Sequence, residues 1–213
     1  MQFNYKQHNP DYATLLADRS MLLMREMIDP GYDSIAKCSD TRPTHGFLFE
    51  SLTPQGHEYF AGHYRGENFN SLRTYNVCFG TWLGANYSIV LVNMESFRTL
   101  IRSGLRQITG EMGNWTTKVL AANLTLFLAR IFSSFISIHP YADGNGHIAR
   151  FLVCAASIPK GFVPREWTIH PRPIDDVRYR EAYKEYREGR EEMLLKLIGE
   201  WFEYDSEEPR CLL

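Results

Sequence analysis

The segment SIHPYADGNGHIARFL, residues 137–152, sets His139, Asp143, Asn145, His147 and Arg150 around Pro140, Gly144 and Gly146, between two apolar runs. Proline costs a helix interior a hydrogen bond and glycine admits left-handed backbone angles, so the chain must turn here between two helices. A glycine-rich turn feeding a helix N-terminus presents N–H groups and the positive end of the helix dipole. Phosphate is the natural ligand of such a cradle. Beside it, His139 can accept a proton near neutral pH, and Asp143 is a hard oxygen ligand suited to a Mg²⁺ ion bridging phosphates. Asn145 adds a neutral donor. Arg150, early in the following helix, points back toward its N-terminus as a charged fork for phosphate oxygens. Base, metal ligand and anion clamp are the parts of phosphoryl or nucleotidyl transfer, where catalysis is mostly positioning and charge stabilisation.

Two other readings compete. Gly-Asn-Gly by itself is more often a helix cap than a phosphate site. His139, Asp143 and His147, spaced four apart, would line one face of an unbroken helix as ligands for a hydrolytic metal, but Pro140, Gly144 and Gly146 argue against that helix.

The elements that must position these residues follow from periodicity. Residues 11–28 carry apolar side chains at helical spacing behind Asp11, a candidate N-cap. Residues 29–55, with Pro30, Pro43 and Pro54, read as an irregular connection holding one short strand at Phe47-Leu48-Phe49. Two β-branched and aromatic runs between 72 and 93, separated by Gly80 and Gly84, read as a hairpin. An exposed hairpin edge can take an extended peptide as an added strand. Residues 94–108 follow as an amphipathic helix, and 114–138, apolar nearly all round, as a central helix aimed at the site. A buried helix over 147–158, a Pro-rich connection at 159–174 and an amphipathic region over 174–204, broken at Gly189, complete a mainly α domain with one β-hairpin.

Composition narrows the function classes. With 44% hydrophobic and 23% charged residues the chain reads as an ordinary soluble globular domain. A formal charge of −2 with scattered Lys and Arg leaves no footprint for nucleic acid. Cys38, Cys78, Cys154 and Cys211 form no CxxC pair, which fits a reducing cytoplasm. The N-terminus has no secretory pattern. Arg130 interrupts the longest apolar run, and RCLL puts Cys211 third from the end where a prenylation box needs it fourth. No membrane attachment is expected.

HPYADGNGHIAR resembles the signature of the Fic (Fic/Doc) family, His-Pro-Phe-x-Asp/Glu-Gly-Asn-Gly-Arg-x-x-Arg, matching at His139, Pro140, Asp143, Gly144, Asn145, Gly146 and Arg150. AGHYR at 61–65 is similar to the segment before the family's hairpin flap, which would span about 74–92. VRYREAY resembles the helix whose tyrosine lies near the nucleotide base, which makes Tyr179 the candidate. The resemblance covers roughly 55–202 as a Fic-type helical bundle with a flap, preceded by an accessory segment at 1–54 and followed by a tail at 203–213.

The resemblance implies a protein adenylyltransferase that moves AMP from ATP to a Ser, Thr or Tyr hydroxyl of a target protein held along the flap. His139 would take the hydroxyl proton, and Asp143 would hold Mg²⁺. The amides of Gly144, Asn145 and Gly146 would cradle the α- and β-phosphates, with His147 and Arg150 at the terminal ones. Tyr141 replaces the family's Phe, which requires a partner for its hydroxyl in the core. His147 replaces the first motif Arg, and imidazole has fewer donors and is mostly neutral at pH 7. Donor binding would then be weaker, or the donor would differ, since relatives of this fold also transfer UMP, phosphate or phosphocholine. A non-catalytic nucleotide- or peptide-binding module is the remaining alternative. The family's inhibitory Ser/Thr-x-x-x-Glu-Gly/Asn sequence is not found: Glu67-Asn68 follows His63 and Glu188-Gly189 follows Lys184. The expected setting is a cytoplasmic toxin restrained by a separate small antitoxin, with an effector delivered into another cell as the rival.

Overall fold

The computed structural model describes residues 4–79, 82–163, 167–172 and 176–201. Among these, eight α-helices and one two-stranded ladder form the fold: α1 (Tyr12–Glu26), α2 (Ser34–Ser39), α3 (Arg42–Phe49), β1 (Cys78–Phe79), β2 (Trp82–Leu83), α4 (Tyr87–Glu111), α5 (Thr117–Ile138), α6 (Asn145–Ser157), α7 (Asp176–Arg187) and α8 (Glu192–Trp201).

The central helix is α5, opened by the Thr116 side chain accepting from the Val119 amide. It packs on α4, α6 and α8. Leu128, Phe132 and Phe135 are fully buried on it, as are Phe151 and Leu152 of α6 and Ile198 of α8. Each such side chain contributes about 1.5–3 kcal/mol relative to exposure. The apolar run is long and apolar enough to cross a membrane despite Arg130, but over half of it is buried inside the protein. Arg130 does not interrupt the helix, because it sits on the exposed face.

Three expectations change. Residues 29–55 hold two helices, and Phe47-Leu48-Phe49 close α3 instead of forming a strand. Pro43 sits in the first turn of α3, where its missing N–H costs nothing, and the helix buries Thr44, His45, Leu48 and Phe49. A three-residue apolar run has no period that separates strand from helix. The hairpin is much shorter than the two runs suggest, pairing only Cys78 with Leu83 and Phe79 with Trp82. Gly80, expected in its turn, lies outside the described residues. Its second run belongs to α4, which starts at Tyr87, not near 94. Asn86 caps it by accepting from the Ser88 amide. Val90, Met94, Phe97 and Ile101 then face inward at helical spacing, so burial outweighs the β-preference of Ile89 to Val92. The break at Gly189, between α7 and α8, is where the sequence places it. The tail at 203–213, with Cys211, lies outside the described residues.

Candidate active site

His139 ends α5 in the left-handed region at φ 52°, its backbone N–H still donating to the Phe135 carbonyl at 2.9 Å. The helix therefore stops here, which removes the unbroken face that a His139–Asp143–His147 metal site would need. His139 Nδ1 lies 3.1 Å from the Ile136 carbonyl. A carbonyl only accepts, so the ring proton sits on Nδ1 and Nε2 is the basic nitrogen. Burial pulls the pKa of His139 down to about 4; the Ile136 bond opposes this and the Arg65 charge adds to it. The ring is thus neutral at pH 7, the form a general base requires.

Arg65, fully buried and the end of AGHYR, has no carboxylate partner among the described residues but donates to four backbone carbonyls. Nε reaches His139 at 2.9 Å and Nη1 reaches Tyr75 at 2.9 Å, while Nη2 reaches Ala85 at 2.9 Å and Ile138 at 3.1 Å. One guanidinium fork thereby fastens both ends of the hairpin segment to the end of α5. A Cβ on Gly84 would lie 2.9 Å from the His139 Cβ, so the hairpin's return passes directly beside the histidine.

After Pro140 the chain turns down into the core. Tyr141 is fully buried, and its hydroxyl finds the partner it needs in Thr41 Oγ1 at 2.7 Å. The Asn145 side chain holds this turn from both sides, accepting from the Tyr141 amide and donating to the Tyr141 carbonyl, each at 2.9 Å. Its observed contacts make it the pin of the loop. Gly144, at φ 79°, caps α6, and a Cβ there would meet Phe49 at 2.4 Å. His147 and Ile148 donate to the Gly144 carbonyl at 3.0 and 3.2 Å, starting the helix whose first turn presents the cradle.

Asp143 is held at both carboxylate oxygens. Gly144 donates to Oδ1 at 2.7 Å and the Tyr5 amide, from far back in the chain, to Oδ2 at 2.9 Å. Burial raises its pKa while these two N–H groups lower it. Its carbonyl is fixed too: His45 donates from Nε2 to the Asp143 carbonyl at 3.0 Å and accepts the Gly62 amide at Nδ1, stacked 3.7 Å from the Tyr141 ring. Outer hydrogen bonds of this kind orient a ligating carboxylate. Among the described residues no group of three or more His, Cys, Asp or Glu gathers to enclose a metal. One carboxylate oriented in this way beside the start of α6 does fit Mg²⁺, which is normally held by one or two carboxylates and substrate phosphates.

Arg150 is buried, with Nε donating to the Ile169 carbonyl at 2.9 Å and its own carbonyl accepting Trp167 Nε1 at 3.2 Å. A Cβ at Gly146 would be 3.4 Å from Arg150 Nη1, so the guanidinium does fold back toward the start of α6. Tyr179, half-buried on α7, packs on Trp167 and Phe132 with ring centroids 5.7 and 5.3 Å away, and its field falls on Arg150. His147 lies on the same side of α6, its ring edge-on to Phe49 and bonded to His170. His139, Asp143, Asn145, His147 and Arg150 therefore lie together on one loop and the first turns of α6, with Tyr179 beside Trp167, whose Nε1 donates to the Arg150 carbonyl. Tyr5, His45, Arg65 and His170 bond to this group without having been singled out. Only AGHYR carried a signal, through its resemblance to the segment before the flap.

Glu67 and Glu188, weighed as inhibitory glutamates, are engaged elsewhere. Glu67 pairs with His63 at 2.7 Å and approaches Arg42, and Glu188 pairs with Arg190.

No curated protein matches the chain. The model of the Fic/DOC family matches residues 44–156, just over half of it, from the helix bearing His45 to the end of α6. The loop geometry and this match agree: the chain belongs to the Fic/DOC family and is a Fic-type transferase, of a kind that generally moves phosphate-linked groups.

Proposed function

We propose that the protein transfers AMP from ATP to a Ser, Thr or Tyr hydroxyl of a target protein. The observation that carries this reading is the His139 ring, fixed by the Ile136 carbonyl with Nε2 as its basic nitrogen, at the mouth of a Gly144–Gly146 turn that opens a helix. His139 takes the hydroxyl proton, and the hydroxyl oxygen forms a bond to the α-phosphorus as the bond to pyrophosphate breaks. The loop amides and Arg150 hold the phosphates in line and oppose the charge that develops on them. Tyr179 borders the place of the base. Asp143 would hold Mg²⁺, which would supply positive charge against that of the phosphates. The target segment lies along the short hairpin of β1 and β2, whose flanks at Tyr75 and Ala85 Arg65 ties to His139.

His147 supports a second reading. With an uncharged imidazole where the family has Arg, the donor is a different phosphate-linked group, such as UMP, phosphate or phosphocholine. The biological setting that suits either reading is a cytoplasmic toxin whose separate antitoxin supplies a glutamate to Arg150.

The test is labelling of lysate proteins by the purified chain with Mg²⁺ and α-labelled or γ-labelled ATP, each beside His139→Ala. Label from the α position that disappears in His139→Ala is the expected result. Label only from the γ position, or only from other donors such as UTP, selects the second reading.

A further inference from the structure

The residue in the place of the family's arginine is not alone. His147 Nε2 and His170 Nδ1 lie 3.2 Å apart, with the ring planes inclined by 25°. Two neutral imidazoles share one hydrogen across such a contact, so the donor is one ring or the other. Burial, then the nearby Arg150, His170 and Arg172 charges, push the pKa of His147 well down, and burial with Arg150 and Lys6 lowers that of His170. Both rings are uncharged at neutral pH. The tautomer of His147, not its charge, therefore decides what it can offer an anion. If His147 donates from Nε2, its Nδ1 is a lone pair that repels a phosphate oxygen. If His170 donates, His147 keeps its proton on Nδ1 and is a hydrogen-bond donor.

The surroundings make His170 a rigid partner. Ile169, beside it, accepts Arg150 Nε at 2.9 Å, and Trp167 Nε1 donates to the Arg150 carbonyl. His147 and Arg150 are three residues apart on α6 and so share a face, and consecutive residues of one segment, His170 and Ile169, brace them. Phe49 packs edge-on to the His147 ring with centroids 5.5 Å apart, and Tyr12 edge-on to the His170 ring at 6.5 Å.

We propose that His170 is a positioning residue that donates its Nδ1 proton to His147 Nε2, and so fixes His147 as an Nδ1–H donor to the phosphates of the transferred group's carrier. The donor clamp of this protein is then a histidine pair plus Arg150. This rests on assigning the loop to phosphate, and the two can fail separately.

The experiment is ¹⁵N-imidazole NMR of the full chain at pH 7, with tripolyphosphate affinity measured by calorimetry on the same samples. In the unaltered protein His147 carries its proton on Nδ1. His170→Phe shifts it toward Nε2 and weakens tripolyphosphate about tenfold, the scale of one hydrogen bond to a charged group. His170→Asn, whose amide nitrogen can occupy the place of Nδ1, restores both, whereas His170→Gln, which cannot, behaves like Phe. In a His147→Arg background, His170→Phe changes the affinity less than twofold. A proton on Nε2 of His147 in the unaltered protein, or a tautomer indifferent to residue 170, overturns the proposal. Tripolyphosphate that does not bind even though residue 170 controls the tautomer overturns the phosphate assignment and leaves the role of His170 standing.

Discussion

Asn145 shows how the motif works at the scale of one residue. Its amide is buried and makes two hydrogen bonds to one residue's backbone, so Asn145→Ala strands the Tyr141 amide and carbonyl away from water. The expected loss is about 2–4 kcal/mol from two orphaned groups, with a fall in melting temperature and in transfer activity together. Asn145→Asp keeps the acceptor but sets a buried carboxylate against the Tyr141 carbonyl, and should cost at least as much. The buried histidines make a second prediction. Burial pulls His45 to about 3 and His139 to about 4. Unfolded, both titrate near 6.5, so below that pH the unfolded chain binds more protons than the folded one. The stability held by keeping them neutral is complete above pH 6.5 and is lost as the pH falls toward 4. The loss is on the order of 2–3 kcal/mol for each histidine. Asp143, whose pKa burial raises, opposes the trend. Thermal melts across pH 4–8 should be flat above 6.5 and fall below it, and His45→Gln should shrink the slope.

At the scale of elements, the hairpin is only two residue pairs, so its position depends on what fastens it. Arg65 does this through its carbonyl bonds, and the Arg187 guanidinium of α7 lies 4.3 Å from the centre of the Trp82 ring. Arg65→Met preserves bulk but takes the guanidinium donor from four carbonyls, of which that of Ile138 still accepts the Ala85 amide. It should destabilise the fold by roughly 3 kcal/mol or more and, on the proposed binding of a target along the hairpin, lower transfer to a protein target at least tenfold. Arg187→Ala, at an exposed cation–π contact worth about 0.5–1 kcal/mol, should weaken target KM with little change in melting temperature. Comparing the two variants separates holding the flap from holding the protein. The hairpin was legible as a hairpin because its aromatic and β-branched runs flank glycines. Its length was not, since Ile89 to Val92 fit a strand or a helix until the inward face of α4 decides between them.

Across the whole molecule, the segment before α1 belongs to the site. Tyr5 is fully buried against His45 and Phe49, with ring centroids 6.4 and 5.2 Å away, and its amide holds Asp143. Tyr5→Ala should cost about 3–5 kcal/mol, as for other large aromatic truncations in a core, and weaken Mg²⁺-dependent nucleotide binding. Tyr5→Phe, which gives up only the long 3.5 Å bond from its hydroxyl to the Phe60 carbonyl, should leave nucleotide binding unchanged, because the bond to Asp143 comes from the backbone. By itself the sequence determined the loop. Pro140, Gly144 and Gly146 restrict the backbone locally, the flanking apolar runs give two buried helices, and the residue types between them specify base, carboxylate and cation. These are short-range properties that neighbours in the chain impose. Only the tertiary structure decided what surrounds the loop. Tyr5, His45, Arg65 and His170 lie 138, 98, 74 and 23 residues from the groups they hold. Three of the four act through or upon the backbone, and the fourth through one ring nitrogen. A backbone hydrogen bond leaves no trace in the identity of its partner, so these contacts become visible only when the helices have packed and brought the segments together.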